Sequence, residues 1–197
     1  MEKKELQKDL LFWRDIRLKD WRESYEHFIE LTNDENMLII VLRAHLYLER
    51  EINELLSKVS LNGKLLEVQF SHKIDLVKSL GVVDEELIPP IGKLNKIRNQ
   101  YAHDLEFEVT QKDYQDLLST LSKKEKAHFE EELINFYKKY PEENKKLTNN
   151  FRVLLGSIWG AVKIKNLYFF YYYQTLSKSI AEKEGERIRH EVSKHRN

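Results

Sequence analysis

Apolar residues return every three or four positions along nearly the whole of this 197-residue chain. Leu11, Leu18, Tyr25 and Ile29 fall two turns or one turn apart on one face near the start, with Trp21 and Phe28 beside them, and Leu66, Phe70, Ile74 and Val77 are three or four apart further on. A helix turns about 100° per residue, so such positions share one face. No convincing strand alternation and no internal repeat is present, so an all-α fold is expected. Six glycines and three prolines leave few places for a helix to stop. The charged share of 34%, mostly Lys and Glu, suits long solvated helices, and the apolar share of 41% supplies a core.

The pattern divides into helices at 4–31, 36–59, 64–80, 91–104, 111–121 and 123–139, then a polar connection over 141–150 and a long last helix from Phe151. Asn33 or Asp34 is the expected N-cap of the second helix, and Gly63 its stop. Pro89 and Pro90 are tolerated in a first turn but not inside a helix. Thr110 with Asp113, and Ser122 with Glu125, have capping-box spacing. Residues 106–110 read as extended. The whole, 1–197, reads as a single domain.

The formal net charge is zero, so no global basic field draws this chain to nucleic acid, and RNA binding would need a local site. With no cysteine, disulfides, thiolate metal sites and cysteine nucleophiles are excluded. The start, MEKKELQKDL, lacks the apolar run of a signal peptide. Arg152, Lys163 and Lys165 interrupt the most apolar stretch and argue against a membrane span. A cytoplasmic protein is the expectation. There is no Gly-rich phosphate loop and no arguable Ser-His-Asp order. His190 and His195 are poorly spaced for a metal, so neither cofactor nor metal is expected.

Chemistry concentrates in IRNQYAHDL, residues 97–105. On a helix, Leu94, Ile97, Tyr101 and Leu105 form the core side. His103 falls nearly opposite, Asn99 and Asn95 lie one and two turns back on almost the same stripe, and Arg98 sits at the edge of the core side. A solvated surface histidine is one reading of His103. The other is a cleft or subunit interface lined by Asn95, Asn99 and His103, with Arg98 reaching round to it. A histidine ordinarily exchanges a proton near neutrality, and a guanidinium holds a phosphate through two hydrogen bonds. The pair suits phosphodiester cleavage and anion binding equally. About 140° separates Arg98 from His103, so the arginine's length or a second chain must close the gap.

His45 and Glu49 fall at the centre of the face made by Leu42, Ile52 and Leu56. A carboxylate placed there needs a partner. Either it pairs with His45 one turn away, or it reaches Arg98 on the neighbouring helix and fixes its orientation. Tyr168 to Tyr173, six aromatics in a row, are expected to pack against the bundle or a dimer partner, with base stacking as the alternative. Lys163 and Lys165 beside them are expected to be solvated.

Arg98, Asn99 and His103 in RNQYAH resemble the Arg-polar-x-x-x-His signature of the HEPN superfamily, and the segment HKIDLVKSLGVVDEELIPPIGKL resembles what leads into that motif. The likeness covers roughly residues 36–122. It implies a HEPN-type helical bundle, here with an added N-terminal helix and a C-terminal helical extension over about 123–197. Many members are metal-independent endoribonucleases that act as homodimers, the motifs of two chains facing one cleft. By resemblance, Arg98 would bind the scissile phosphate, His103 would assist proton transfer or position the RNA, and Asn99 is the polar residue that follows the arginine; Asn95 and Glu49 are expected to support them from their own places on the two helices. The ribose 2′-hydroxyl would attack, as in bacterial toxins and phage-defence effectors. Leu105 stands where toxins silenced by a nucleotidyltransferase antitoxin carry a tyrosine, so that control is not expected, and a cognate antitoxin stays open. The alternative is a non-catalytic HEPN-fold module that binds nucleotide, RNA or a partner protein, similar to the mannitol operon repressor family.

Overall fold

The structure is a computed structural model that describes residues 19–59, 63–143 and 146–194, with side chains in the last segment described for 146–169, 184 and 185. All regular structure among the described residues is helical: α1 over 19–31, α2 (Met37–Val59), α3 (Phe70–Ser79), α4 (Ile88–His103), α5 (Gln111–Ser119), α6 (Lys123–Lys139) and α7 (Leu147–Lys194). Two 3₁₀ turns, Gly63–Leu66 and Glu85–Leu87, precede α3 and α4. The expected all-α fold is what forms.

Local chemistry explains most boundaries. Asn36 caps α2, its Oδ1 accepting from Leu38 N at 2.9 Å, two or three residues later than expected. The helix expected over 64–80 is shorter, because Gly63–Leu66 forms its own tight turn. Gly81, at φ +63°, closes α3: Val82 N bonds Val77 O and Gly81 N bonds Lys78 O. That pairing satisfies two carbonyls at the helix end and needs a left-handed residue, which glycine adopts without strain. Pro89 and Pro90 sit in the first turn of α4, which therefore starts three residues before the expected position. Both capping arrangements form, Thr110 with Asp113 reciprocally and Ser122 Oγ accepting from Glu125 N. Residues 107–110 are irregular, with Val109 buried. Leu11 and Leu18 lie outside the described residues.

The first third of α7 is the hub. Residues 151–160 are buried on every side of the helix, and α2 and α6 pack against it. Helix α1 reaches α7 where side chains are missing: a Cβ on Gly156 would stand 3.2 Å from rings of Tyr25 and Phe28, and one on Gly160 3.2 Å from the Trp21 indole nitrogen. Phe28 then stacks on Trp159 at 4.9 Å between ring centres. Arg152, 2% exposed, lies over the Phe136 ring at 4.9 Å and donates to Asn33 Oδ1. Charge in this stretch is thus absorbed by the core. No helix among the described residues is long and apolar enough to cross a membrane.

Helix α4 rests on α2, α3 and α5 through Pro90, Ile91, Leu94 and Ile97, all buried. Burying each of the three large aliphatic side chains contributes about 1.5–3 kcal/mol, which fixes the roll of α4 and so the direction of Asn95, Arg98 and Asn99. Tyr101 is half-buried against Phe107. Leu105 is not on the core side: α4 ends at His103, Asp104 turns extended, and Leu105 is 99% exposed. Asp104 Oδ1 accepts from Glu106 N, a local turn that competes with helix continuation.

Candidate functional site

Five of the residues singled out, with one addition, form two short polar runs where α3, α2 and α4 meet. Lys73 of α3 donates to Glu49 Oε1 at 2.7 Å, and Glu49 Oε2 lies 4.0 Å from His45 Nδ1. On its other side, the His45 ring places Nε2 at 3.3 Å from Asn95 Oδ1 on α4. One turn along α4, Arg98 donates from Nη1 to Asn99 Oδ1 at 3.1 Å. Asn95, Arg98 and Asn99 stand at positions i, i+3 and i+4, so they share one patch of helix surface.

The electrostatics differ along the run. Lys73 has a side chain only 5% exposed, and Glu49 supplies the charge that lets an ammonium stay there. His45 is 3% exposed and packs on the Phe70 ring at 4.4 Å. Burial above all holds its pKa below the ordinary imidazole value; the Asn95 hydrogen bond and Glu49 oppose this, and the nearby Arg98 and Lys73 charges reinforce it. His45 is therefore neutral at neutral pH. Arg98 is half-buried, and no carboxylate among the described residues pairs with it. A guanidinium partly out of water and without a counter-charge is ready for an anion.

Glu49 is not at the centre of the α2 core face, and Arg98 is not its partner. The buried arc of α2 is centred on Ala44, Leu48, Ile52 and Leu55. Leu42, 38% exposed, and Glu49 lie at its edge. From that edge Glu49 meets Lys73, and an open groove of about 440 Å³ runs beside it, lined also by Leu46, Arg50, Asn53 and Leu66. Asn95 and Asn99 are half-buried, so the polar stripe of α4 leans on α2 at its lower end and does not face solvent throughout. His103 is exposed at the last position of α4, and no hydrogen bond or ion pair among the described residues joins it to Arg98.

Sequence reasoning missed Lys73, although a lysine between Phe70, Ile74 and Val77 on one face was the signal. It also missed a second buried network. Asn166 of α7 donates to Glu51 Oε2 at 2.7 Å and to the Glu51 carbonyl at 3.0 Å, and it accepts from Lys58. Lys163 pairs with Glu51 at 3.2 Å and Lys165 with Asp84 at 2.7 Å, so neither lysine is simply solvated. Tyr168 is 51% exposed and Phe169 packs on the core. The remaining aromatic side chains of that run, with His190 and His195, lie outside the described side chains. A second cleft of about 390 Å³ between α1 and α6 is lined by Trp21, Tyr25, Glu132 and Tyr140, with no residue of α4. Among the described residues no three His, Asp or Glu gather as a metal site. Comparisons with protein-family models, with curated proteins and with solved structures found no match to this chain.

Proposed function

We propose that this chain is a HEPN-type endoribonuclease whose Arg98 grips the phosphate and whose His103 moves a proton. The ribose 2′-hydroxyl attacks the adjacent phosphorus and the bond to the 5′ oxygen breaks, leaving a 2′,3′-cyclic phosphate and a 5′-hydroxyl. Arg98 stabilises charge on the non-bridging oxygens, and His103 takes the hydroxyl proton or returns one to the leaving oxygen. The observation that carries this reading is the state of Arg98: half-buried, without a carboxylate partner among the described residues, and held at one nitrogen by Asn99. Its other donors stay available for a two-point contact with phosphate.

His103 and Arg98 do not touch within one chain, so the reading includes a homodimer in which two α4 helices face one cleft. A cytoplasmic setting and a toxin or defence role belong to the same proposal. End-group analysis of RNA incubated with the protein in EDTA tests it. Cyclic phosphate termini support the reading; intact RNA, or cleavage indifferent to His103→Ala, counts against it.

The same separation favours a second reading, an anion-binding module without catalysis. It needs Arg98 and nothing from His103. Binding lost in Arg98→Ala and kept in His103→Ala, with no cleavage in either, selects this reading.

A further inference from the structure

We infer that His45 is a positioning residue: by holding the amide oxygen of Asn95 it leaves the Asn95 NH₂ free, so that this group, the Asn99 NH₂ and the Arg98 guanidinium form one donor-only clamp for the oxygens of a phosphodiester backbone. The inference rests on the RNA-binding reading of this site and says which part of the RNA the site grips.

A carboxamide accepts at its oxygen and donates at its nitrogen, and a guanidinium only donates. The atom of Asn99 that meets Arg98 Nη1 is therefore its oxygen, at 3.1 Å. His45 Nε2 stands 3.3 Å from Asn95 Oδ1, so this nitrogen carries the hydrogen and donates. The other ring nitrogen fits that tautomer. It is 4.0 Å from Glu49 Oε2, too far for a hydrogen bond, while Lys73 holds the other oxygen of that carboxylate, Oε1, at 2.7 Å. Neither Asn95 Nδ2 nor Asn99 Nδ2 donates to any described residue. Both asparagines thus turn their acceptor ends to the protein and keep their donor ends for a ligand.

Such a patch has a chemical preference. Phosphate oxygens accept and do not donate, whereas base edges present both kinds of group. An asparagine reads adenine by using its oxygen and nitrogen together, and here both oxygens are occupied. The clamp therefore tracks the backbone and is indifferent to base identity.

Short 2′-O-methyl oligouridine and oligoadenosine, which lack the attacking hydroxyl, serve as probes of the full chain, with inorganic phosphate as a third. Side-chain amide signals of Asn95 and Asn99 are followed by NMR in parallel. The wild type is expected to bind both oligonucleotides alike. His45→Leu and Asn95→Ala should each weaken binding about tenfold, the double variant no more than either alone, and His45→Gln, which still donates to Asn95, should restore it. A merely structural histidine would instead weaken the Asn95→Ala protein as much as the wild type and show no rescue, which overturns the inference. Should His45→Leu not fold, unchanged binding by Asn95→Ala overturns it equally. If phosphate shifts the two amide signals in the wild type but neither oligonucleotide binds, the RNA reading falls and the clamp stands. If RNA binds through Arg98 while Asn95→Ala and His45→Leu match the wild type, the clamp falls and the RNA reading stands. If no probe moves either amide signal, both fall.

Discussion

Arg98 donates to the amide oxygen of its neighbour Asn99 at 3.1 Å, and no carboxylate among the described residues neutralises it. An arginine tied to an acid would be structural, whereas one aligned by an amide keeps its full charge for a ligand. Arg98→Lys is then not conservative, because an ammonium cannot make the planar two-point contact. Both Arg98→Lys and Arg98→Ala are expected to lower RNA cleavage about a hundredfold. Circular dichroism should show the fold unchanged, since Leu94 and Ile97 still bury the core face of α4.

The depressed pKa of His45 makes stability depend on pH. The unfolded histidine titrates near 6.5 and the folded one lower, with Glu49, Lys73 and Arg98 facing the ring. Between those values the unfolded chain binds a proton that the folded chain does not. Stability from this group is full above 6.5 and is lost as pH falls through 6.5 toward the folded pKa, at up to about 1.4 kcal/mol per pH unit. Denaturant midpoints of wild type and His45→Gln should keep a constant difference above that pH, and below it the wild type should fall relative to the variant. Parallel curves throughout would contradict the assignment.

Asn166 joins α7 to the carboxylate of Glu51, whose side chain is 3% exposed. Asn166→Ala removes a donor from a buried charge and is expected to cost roughly 2–4 kcal/mol. Urea unfolding gives the number, and a loss below about 0.5 kcal/mol, the range of ordinary surface substitutions, would show that the network carries no load.

The two glycines of α7 should respond differently to alanine. Each gains about 1 kcal/mol of helix propensity. Gly156→Ala pushes into Tyr25 and into Phe28, which is fully buried, so overpacking wins and a net loss of about 1 kcal/mol is expected. Gly160→Ala meets only the half-buried Trp21, which can shift, and should be near neutral or stabilising. Thermal unfolding of the two variants side by side checks the order.

Much of the fold was legible because helix-making rules are local. Thr110 and Ser122 announce their caps within three residues, and the spacing of Leu94 and Ile97 marks the buried side of α4. Tertiary partners were not legible. The wide buried arc of α2 hides which of Leu42, His45 and Glu49 lies at its edge until α3 and α7 are in place. For Glu49 the sequence offers His45 one turn away or Arg98 on the next helix, yet the buried Lys73 is the closer partner, at 2.7 Å against 4.0 Å for His45. A regular helix continued to Leu105 places it on the core side, but α4 ends two residues earlier, at the turn that Asp104 makes.

The most direct test of the central claim is cleavage of single-stranded RNA in EDTA by the wild type, Arg98→Ala and His103→Ala. The wild type is predicted to leave 2′,3′-cyclic phosphate ends, and each variant to be slower by about a hundredfold or more, with His103→Ala still binding the RNA. RNA left intact by the wild type, or cut equally by all three proteins, would contradict the account.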